Sequence, residues 1–177
     1  MGGLAERMIR AAKLDESLYE EVEADRGALK QATIVVVLAS VAAGVGASAW
    51  RGIEGLIFAL LSALAGWYVW AFLTYWIGTR LLPEPQTKAD YGELLRTVGF
   101  SSAPGVLRVL GIIPGLTGLV FVVVSVWMLV AMVIAVRQAL DYTGTLRAVA
   151  VCVIGWIVQV LILALLLTPF RSAGTGM

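Results

Sequence analysis

The spacing of charged residues constrains this chain more than any other feature. Four intervals of twenty to twenty-eight residues carry no charged side chain, and they lie between Lys30 and Arg51, Glu54 and Arg80, Arg108 and Arg137, and Arg147 and Arg171. A membrane span needs about twenty apolar residues, and a helix is the only single segment that satisfies its own backbone polar groups in hydrocarbon. The sequence therefore predicts an integral membrane protein with an all-α, polytopic transmembrane helix bundle.

The segment 94–113 leaves the number of spans open. Its uncharged interval, between Arg96 and Arg108, holds only eleven residues. If Arg96 lies at one interface and Arg108 snorkels or faces the bundle interior, the segment crosses the membrane and the bundle has five spans. Alternatively, the Pro-Gly pairs at Pro104 and Pro114 turn it into a re-entrant or interfacial hairpin, and the bundle has four spans.

Residues 1–30 differ from the rest of the chain because they are rich in charge. If they form one helix, apolar side chains share a single stripe, made of Leu4, Met8, Ala11, Leu14, Leu18 and Val22. This pattern predicts an amphipathic N-terminal arm that lies on the membrane or on the bundle. It also offers a contact surface for a soluble protein partner, with the candidate residues Tyr19, Glu20, Glu21 and Glu23. We expect the arm to be separable from a bundle at 31–171, with 172–177 as a short tail.

Basic residues predict the orientation. With four spans, ten of the thirteen Lys and Arg residues lie on the side of the N-terminus and three on the other side. With five spans, ten lie on the side of the N-terminus, two lie on the other side, and Arg108 is embedded in the membrane. The positive-inside rule therefore predicts a cytoplasmic N-terminus in both topologies and leaves the side of the C-terminus open.

The inventory of reactive side chains argues against catalysis. The chain has no histidine, and its single cysteine is Cys152. Nearly all carboxylates lie outside the predicted spans, so general acid–base chemistry or a metal site would have few groups to use. A net charge of +1 gives no basic surface for nucleic acid. We therefore expect no enzymatic activity, no cofactor, no metal and no nucleic-acid partner.

Three features inside the predicted spans are candidates for packing or function. Gly44 recurs with Ser40 and Ser48 at steps of four, which is typical of a close helix-packing face or, alternatively, of a homo-oligomer seam. Arg108 is the most costly side chain in the membrane region. Gln159 lies near the middle of the last span. Together with the proline breaks, Arg108 and Gln159 support a second hypothesis, a small transporter or channel subunit.

The chain also resembles the Ypt-interacting-protein (Yip) family, in its bacterial branch. The likeness is carried by residues 18–25, 99–105, 113–115, 127–130 and 134–140, and by Thr143, Arg147 and Ala148. These stretches contain the structural candidates Phe100, Pro104, Pro114, Arg137 and Arg147.

The resemblance implies five transmembrane helices, a cytosolic N-terminus and no enzymatic activity. Eukaryotic members bind prenylated Rab-type GTPases and act in vesicle traffic. This sequence lacks the Asp-Leu-Tyr-Gly-Pro motif that those relatives carry ahead of the first span. The predicted function is a non-enzymatic scaffold or interaction protein of the bacterial inner membrane, with the arm as its cytosolic contact and the lipid-embedded bundle as its anchor.

Overall fold

A computed structural model describes residues 2–47 and 52–173, and all of its regular elements within those ranges are helical. The elements are α1 (Leu4–Ala12), α2 (Glu16–Ala24), α3 (Ala28–Gly46), α4 (Gly52–Trp76, continued by a π-helical turn Ile77–Leu81), α5 (Tyr91–Phe100), a 3₁₀ helix (Ala103–Ile112), α6 (Thr117–Ala139) and α7 (Thr145–Ala173).

Four helices are long and apolar enough to cross a membrane, over Ala28–Gly46, Glu54–Leu81, Thr117–Ala139 and Thr145–Ile162. They correspond to the four uncharged intervals, which confirms the predicted all-α membrane bundle. Large apolar side chains such as Phe58, Leu119 and Val122 are exposed on these helices. Lipid is the natural environment for such side chains, because exposure to water would be unfavourable.

The segment from α5 to the 3₁₀ helix runs beside α3 without reversing. Its glycines meet α3 in chain order, at three close contacts: Gly99 with Ala32, Gly105 with Ala39, and Gly111 with Gly46. Because both chains advance in the same direction through these contacts, the segment is parallel to α3. It does not fold back as the hairpin considered from the sequence.

The larger rise per residue of a 3₁₀ helix explains how this segment covers the same distance as a stretch of α3 that has more residues. The step from Ala32 to Gly46 covers fourteen residues of α-helix, or about 21 Å. The step from Gly99 to Gly111 covers only twelve residues, but most of them rise about 2.0 Å each, which gives about 22 Å. The two paths therefore match in length.

The N-terminal arm consists of two helices, α1 and α2, and not of the single helix for which the apolar stripe was drawn. The break comes at Leu14, whose φ of 62° lies in the left-handed region. On either side of it, Ala11, Leu18 and Val22 are completely buried and join the same core cluster as residues of the bundle. The arm is thus packed into the bundle core, and we no longer expect it to be separable.

The close face of α3 differs from the predicted one. A Cβ added at Gly44 would meet no atom within 4 Å, whereas a Cβ added at Gly46 would overlap the backbone carbonyl of Arg108. Among the residues that the structure describes, Gly44 is therefore not a point of close helix packing. Ser48, the third member of the predicted face, lies outside the described residues. A homo-oligomer seam along this face stays a prediction.

These contacts predict that Gly46→Ala destabilises the protein by about 1–3 kcal/mol, because one methyl group must displace the backbone of the 3₁₀ helix. The matched variant Gly44→Ala, on the same helix, should leave stability unchanged or slightly raised. Thermal unfolding of the purified proteins in detergent measures both. Equal melting temperatures would contradict the packing described here.

Candidate functional site

Three segments meet at one end of the bundle: the arm, the 82–90 loop after α4, and the 140–144 loop between α6 and α7. We call this region the arm-side layer. Hydrogen bonds across it join segments that are far apart in sequence. Thr87 donates to the carbonyl oxygen of Leu140 at 2.9 Å, and Gln138 donates to the carboxylate of Glu16 at 3.0 Å.

The bundle caps both helices of the arm. The indole Nε1 of Trp127 donates to the carbonyl oxygen of Ala12, the last residue of α1, at 2.8 Å. The guanidinium of Arg96 donates from Nε to the carbonyl oxygen of Val22 at 2.9 Å and from Nη2 to that of Glu23, in the last turn of α2. Terminal carbonyls of a helix lack partners within the helix and carry partial negative charge. These donors therefore fix where the arm docks.

Arg7 connects the two arm helices to α3. Its side chain is 3% exposed and hydrogen-bonds Glu21, Asp25 and Gln31 at 2.9–3.0 Å. Hydrogen bonds from Arg10 and then from Arg7 lower the pKa of Glu21, and the hydrogen bond from Arg7 lowers the pKa of Asp25. Both carboxylates are therefore held ionised inside the arm.

The two loops of the layer are tied by Glu84, Tyr142 and Arg147. Glu84 accepts hydrogen bonds from the backbone N–H and the hydroxyl of Thr143, both at 3.0 Å, and pairs with Arg147 at 3.3 Å. The Tyr142 hydroxyl lies 2.8 Å from the carbonyl oxygen of Leu82, and burial raises the pKa of Tyr142 to about 12. Arg147, a candidate from the sequence, thus holds the loops together.

The four predicted contact residues do not form one open surface. Tyr19 is completely buried, Glu21 is engaged by two arginines, and Glu23 is half-buried. Of these four residues, Glu20 alone is exposed. The reason is that α2 turns its apolar face and Tyr19 toward α5 and α6, which the acidic pattern of the sequence did not indicate.

The other candidates lie on α5, on the 3₁₀ helix, in the turn before α6 and on α7. Phe100 is completely buried at the end of α5, and Pro104 is buried in the first turn of the 3₁₀ helix. Pro114 is exposed in the turn before α6, where Gly115 has a φ of 84° that favours glycine. Gln159 is half-buried on α7. The structure does not bring these four residues together.

Arg108 and Arg137 lie at the two ends of one apolar cleft of about 1020 Å³ between α6 and α7. The guanidinium of Arg108 donates to the Ser125 hydroxyl at 2.9 Å and stacks 5.4 Å from the centre of the Phe121 ring. Arg137 pairs with Glu16 of the arm at 3.1 Å. Two sequence candidates thus share one cavity, although twenty-eight residues separate them.

Several of these residues were not singled out from the sequence. Arg96 was treated only as an interfacial charge, and Trp127 only as part of a family motif. The sequence carries no signal for their capping roles, because the partner carbonyls become known only from the fold. Within the described residues, no group of three or more His, Cys, Asp or Glu side chains is placed to hold a metal.

The sequence profile of the Yip1 domain matches residues 16–167, which is most of the chain. The chain belongs to the Yip1-domain family. No curated protein and no solved structure shows a significant match. The Yip1 domain begins at Glu16, the first residue of α2, so it includes the α2 contacts with Arg96 and Arg137.

The capping geometry predicts that Arg96→Met loosens the arm. The change leaves the α2 carbonyls without donors in a buried interface, at a cost of about 1–3 kcal/mol. Limited trypsin digestion should then cut after Arg7, which is buried in the wild type, several times faster. The exposed Arg80→Met is the matched control, and an unchanged rate in Arg96→Met would contradict the capping role.

The arm-side layer also predicts a pH dependence through Glu23. Desolvation by burial, followed by the nearby negative charges of Glu93 and Asp141, raises the pKa of Glu23 from 4.5 to about 7. The positive charge of Arg96 opposes this shift only in part. Between these values the folded state keeps a proton that the unfolded state has lost. The contribution of Glu23 to the free energy of unfolding therefore falls as the pH rises from about 4.5 to 7.

Glu23→Gln should consequently be more stable than the wild type at pH 8 and equal to it near pH 4. Melting temperatures across this range measure the difference. Glu6→Gln, an exposed carboxylate of α1, serves as the control. A constant difference between Glu23→Gln and wild type at all pH values would show that Glu23 is not the titrating group.

Proposed function

We propose that this Yip1-domain protein is a non-enzymatic membrane interaction protein that presents the arm-side layer to a protein partner. The observation that supports it is the construction of the layer. The two loops are fixed to each other, and the arm is fixed to α5 and α6, by hydrogen bonds and ion pairs, while Glu20, Arg26 and Lys88 remain exposed. A rigid platform of this kind lowers the entropic cost of recognition.

We also propose five membrane crossings, with both the arm and the 140–144 loop in the cytoplasm. Two observations support this topology. The segment from α5 to the 3₁₀ helix runs parallel to α3, and Glu16 of the arm contacts Arg137 at the far end of α6. If α3 crosses the membrane away from the arm side, the segment parallel to it crosses in the same direction, after α4 has crossed back. The helix α6 then returns to the arm side, and α7 crosses again, which puts the C-terminus on the opposite side.

The positive-inside rule favours the same orientation, because ten basic residues then lie on the arm side and two on the other. We therefore place the arm in the cytoplasm. The resemblance to bacterial relatives supports a cytoplasmic membrane as the location.

Cysteine labelling in a Cys152→Ala background tests the topology. A cysteine at Gly118, in the first turn of α6, should react with a membrane-impermeant maleimide in intact cells, whereas one at Gly144 should react only after permeabilisation. Both glycines have open space around the Cβ position, so neither substitution should disturb the fold. The opposite pattern would support the four-span topology.

Site-specific photocrosslinking in cells tests the interaction function. A photoreactive residue at Glu20 should give a discrete protein adduct, while the same residue at Gly118, on the other side, should not. Loss of the Glu20 adduct in Arg96→Met would show that recognition needs the docked arm. Absence of an adduct, combined with solute flux in proteoliposomes that depends on Arg108, would favour the transporter hypothesis instead.

A further inference from the structure

The cleft between α6 and α7 has apolar walls and opens beside helices that cross the membrane. Its lining includes Met128 and Met132 of α6, Val149 and Trp156 of α7, and Trp70 of α4. Its polar groups are concentrated at Arg108 with Ser125 and at Arg137 with Glu16. Such a site suits a molecule that is mostly apolar and has a polar group at one end.

The cleft contains unsatisfied hydrogen-bond donors. Four buried side-chain atoms in the described part of the chain lack a partner, and three of them belong to residues of this cleft: Trp70 Nε1, Arg108 Nε and Arg137 Nε. All three are N–H groups. Buried donors are nearly always paired in native proteins, so the unpaired N–H of Arg108 favours an occupant with an acceptor oxygen at that end of the cleft.

Arg108 also lacks a counter-ion. All twelve carboxylate side chains of the chain lie among the described residues, and none of them pairs with Arg108. Arg137, by contrast, has Glu16. An unpaired charge at membrane depth is costly, so a bound anion would be favoured most strongly at Arg108.

We propose that this cleft binds an anionic phospholipid, with the phosphate at Arg108 and an acyl chain along the α6–α7 walls. The guanidinium is suited to the phosphate because it offers several N–H donors in one plane. Ser125 already accepts from Arg108, so its own proton is free to donate to a phosphate oxygen.

The length of the cleft fits an acyl chain. Ser125 and Arg137 are twelve residues apart on α6, or about 18 Å. The methionines on this wall can adapt to a chain of variable shape, because their side chains are unbranched and flexible.

A second copy of the protein is a less suitable occupant. A helix from another copy would have to bring a carboxylate to Arg108, and its spans carry none apart from Glu54 near the start of α4. The bilayer, in contrast, supplies phosphate and acyl chain in one molecule.

Native mass spectrometry with phosphatidylglycerol and phosphatidylcholine of identical acyl chains tests the proposal. The wild type should bind phosphatidylglycerol at least about tenfold more tightly. Arg108→Gln should abolish that preference, whereas Arg80→Gln, which makes the same charge change on an exposed residue, should keep it. Val149→Trp should weaken both lipids by filling the cleft without altering Arg108.

If Arg108→Gln fails to fold, Arg108→Lys and Val149→Trp carry the test, because the first keeps the charge and the second keeps the arginine. Retained preference in Arg108→Lys together with weaker binding in Val149→Trp would support the proposal. Unchanged phosphatidylglycerol binding in Arg108→Gln, or in Val149→Trp, would overturn it. So would a wild-type dimer that dissociates in Arg108→Gln and binds neither lipid.

Discussion

The close contact between α3 and the broken segment from α5 to the 3₁₀ helix is the interaction on which the rest of the structure depends. A 3₁₀ helix has poorer hydrogen-bond geometry than an α-helix and is rarely long. Inside a membrane its backbone must be shielded from lipid by protein. Gly99, Gly105 and Gly111 provide that shielding, because the absence of side chains lets the segment lie directly against α3.

This packing also brings the two arginines of the segment against other parts of the protein. Arg96 donates to carbonyls at the end of α2, and Arg108 reaches Ser125 and the face of Phe121. The arm therefore supplies hydrogen-bond acceptors for Arg96 of the bundle, and Arg96 in turn holds the arm in place.

The sequence predicted the four long helices because that prediction depends only on local properties, namely the spacing of charges and the internal hydrogen bonding of a helix. It left the path of 94–113 open, because the contacts of Arg96 and Arg108 are with residues distant in sequence, which no spacing reveals. The prediction that Gly44 marks a close packing face within the chain failed for a similar reason. Small residues occur on several faces of α3, and only the path of the 3₁₀ helix selects one of them.

The arm shows a further limit of pattern reading. A continuous stripe from Leu4 to Val22 is compatible with one helix, yet the chain turns at Leu14 in a conformation that non-glycine residues seldom adopt. The turn lets Arg10 pair with Asp15 and lets Trp127 cap α1. Contacts that form only after the bend thus outweigh the local preference for a continuous helix.

The arm-side layer and the lipid-facing cleft share one ion pair, and this connects the two regions physically. Glu16 begins α2, and its carboxylate bonds both Arg137 and Gln138 near the end of α6. Displacing α2 would remove the only carboxylate at that end of the cleft and leave the Arg137 guanidinium without its counter-ion. Docking of the arm therefore neutralises the Arg137 end of the cleft and leaves Arg108, at the other end, as the positive charge without a counter-ion.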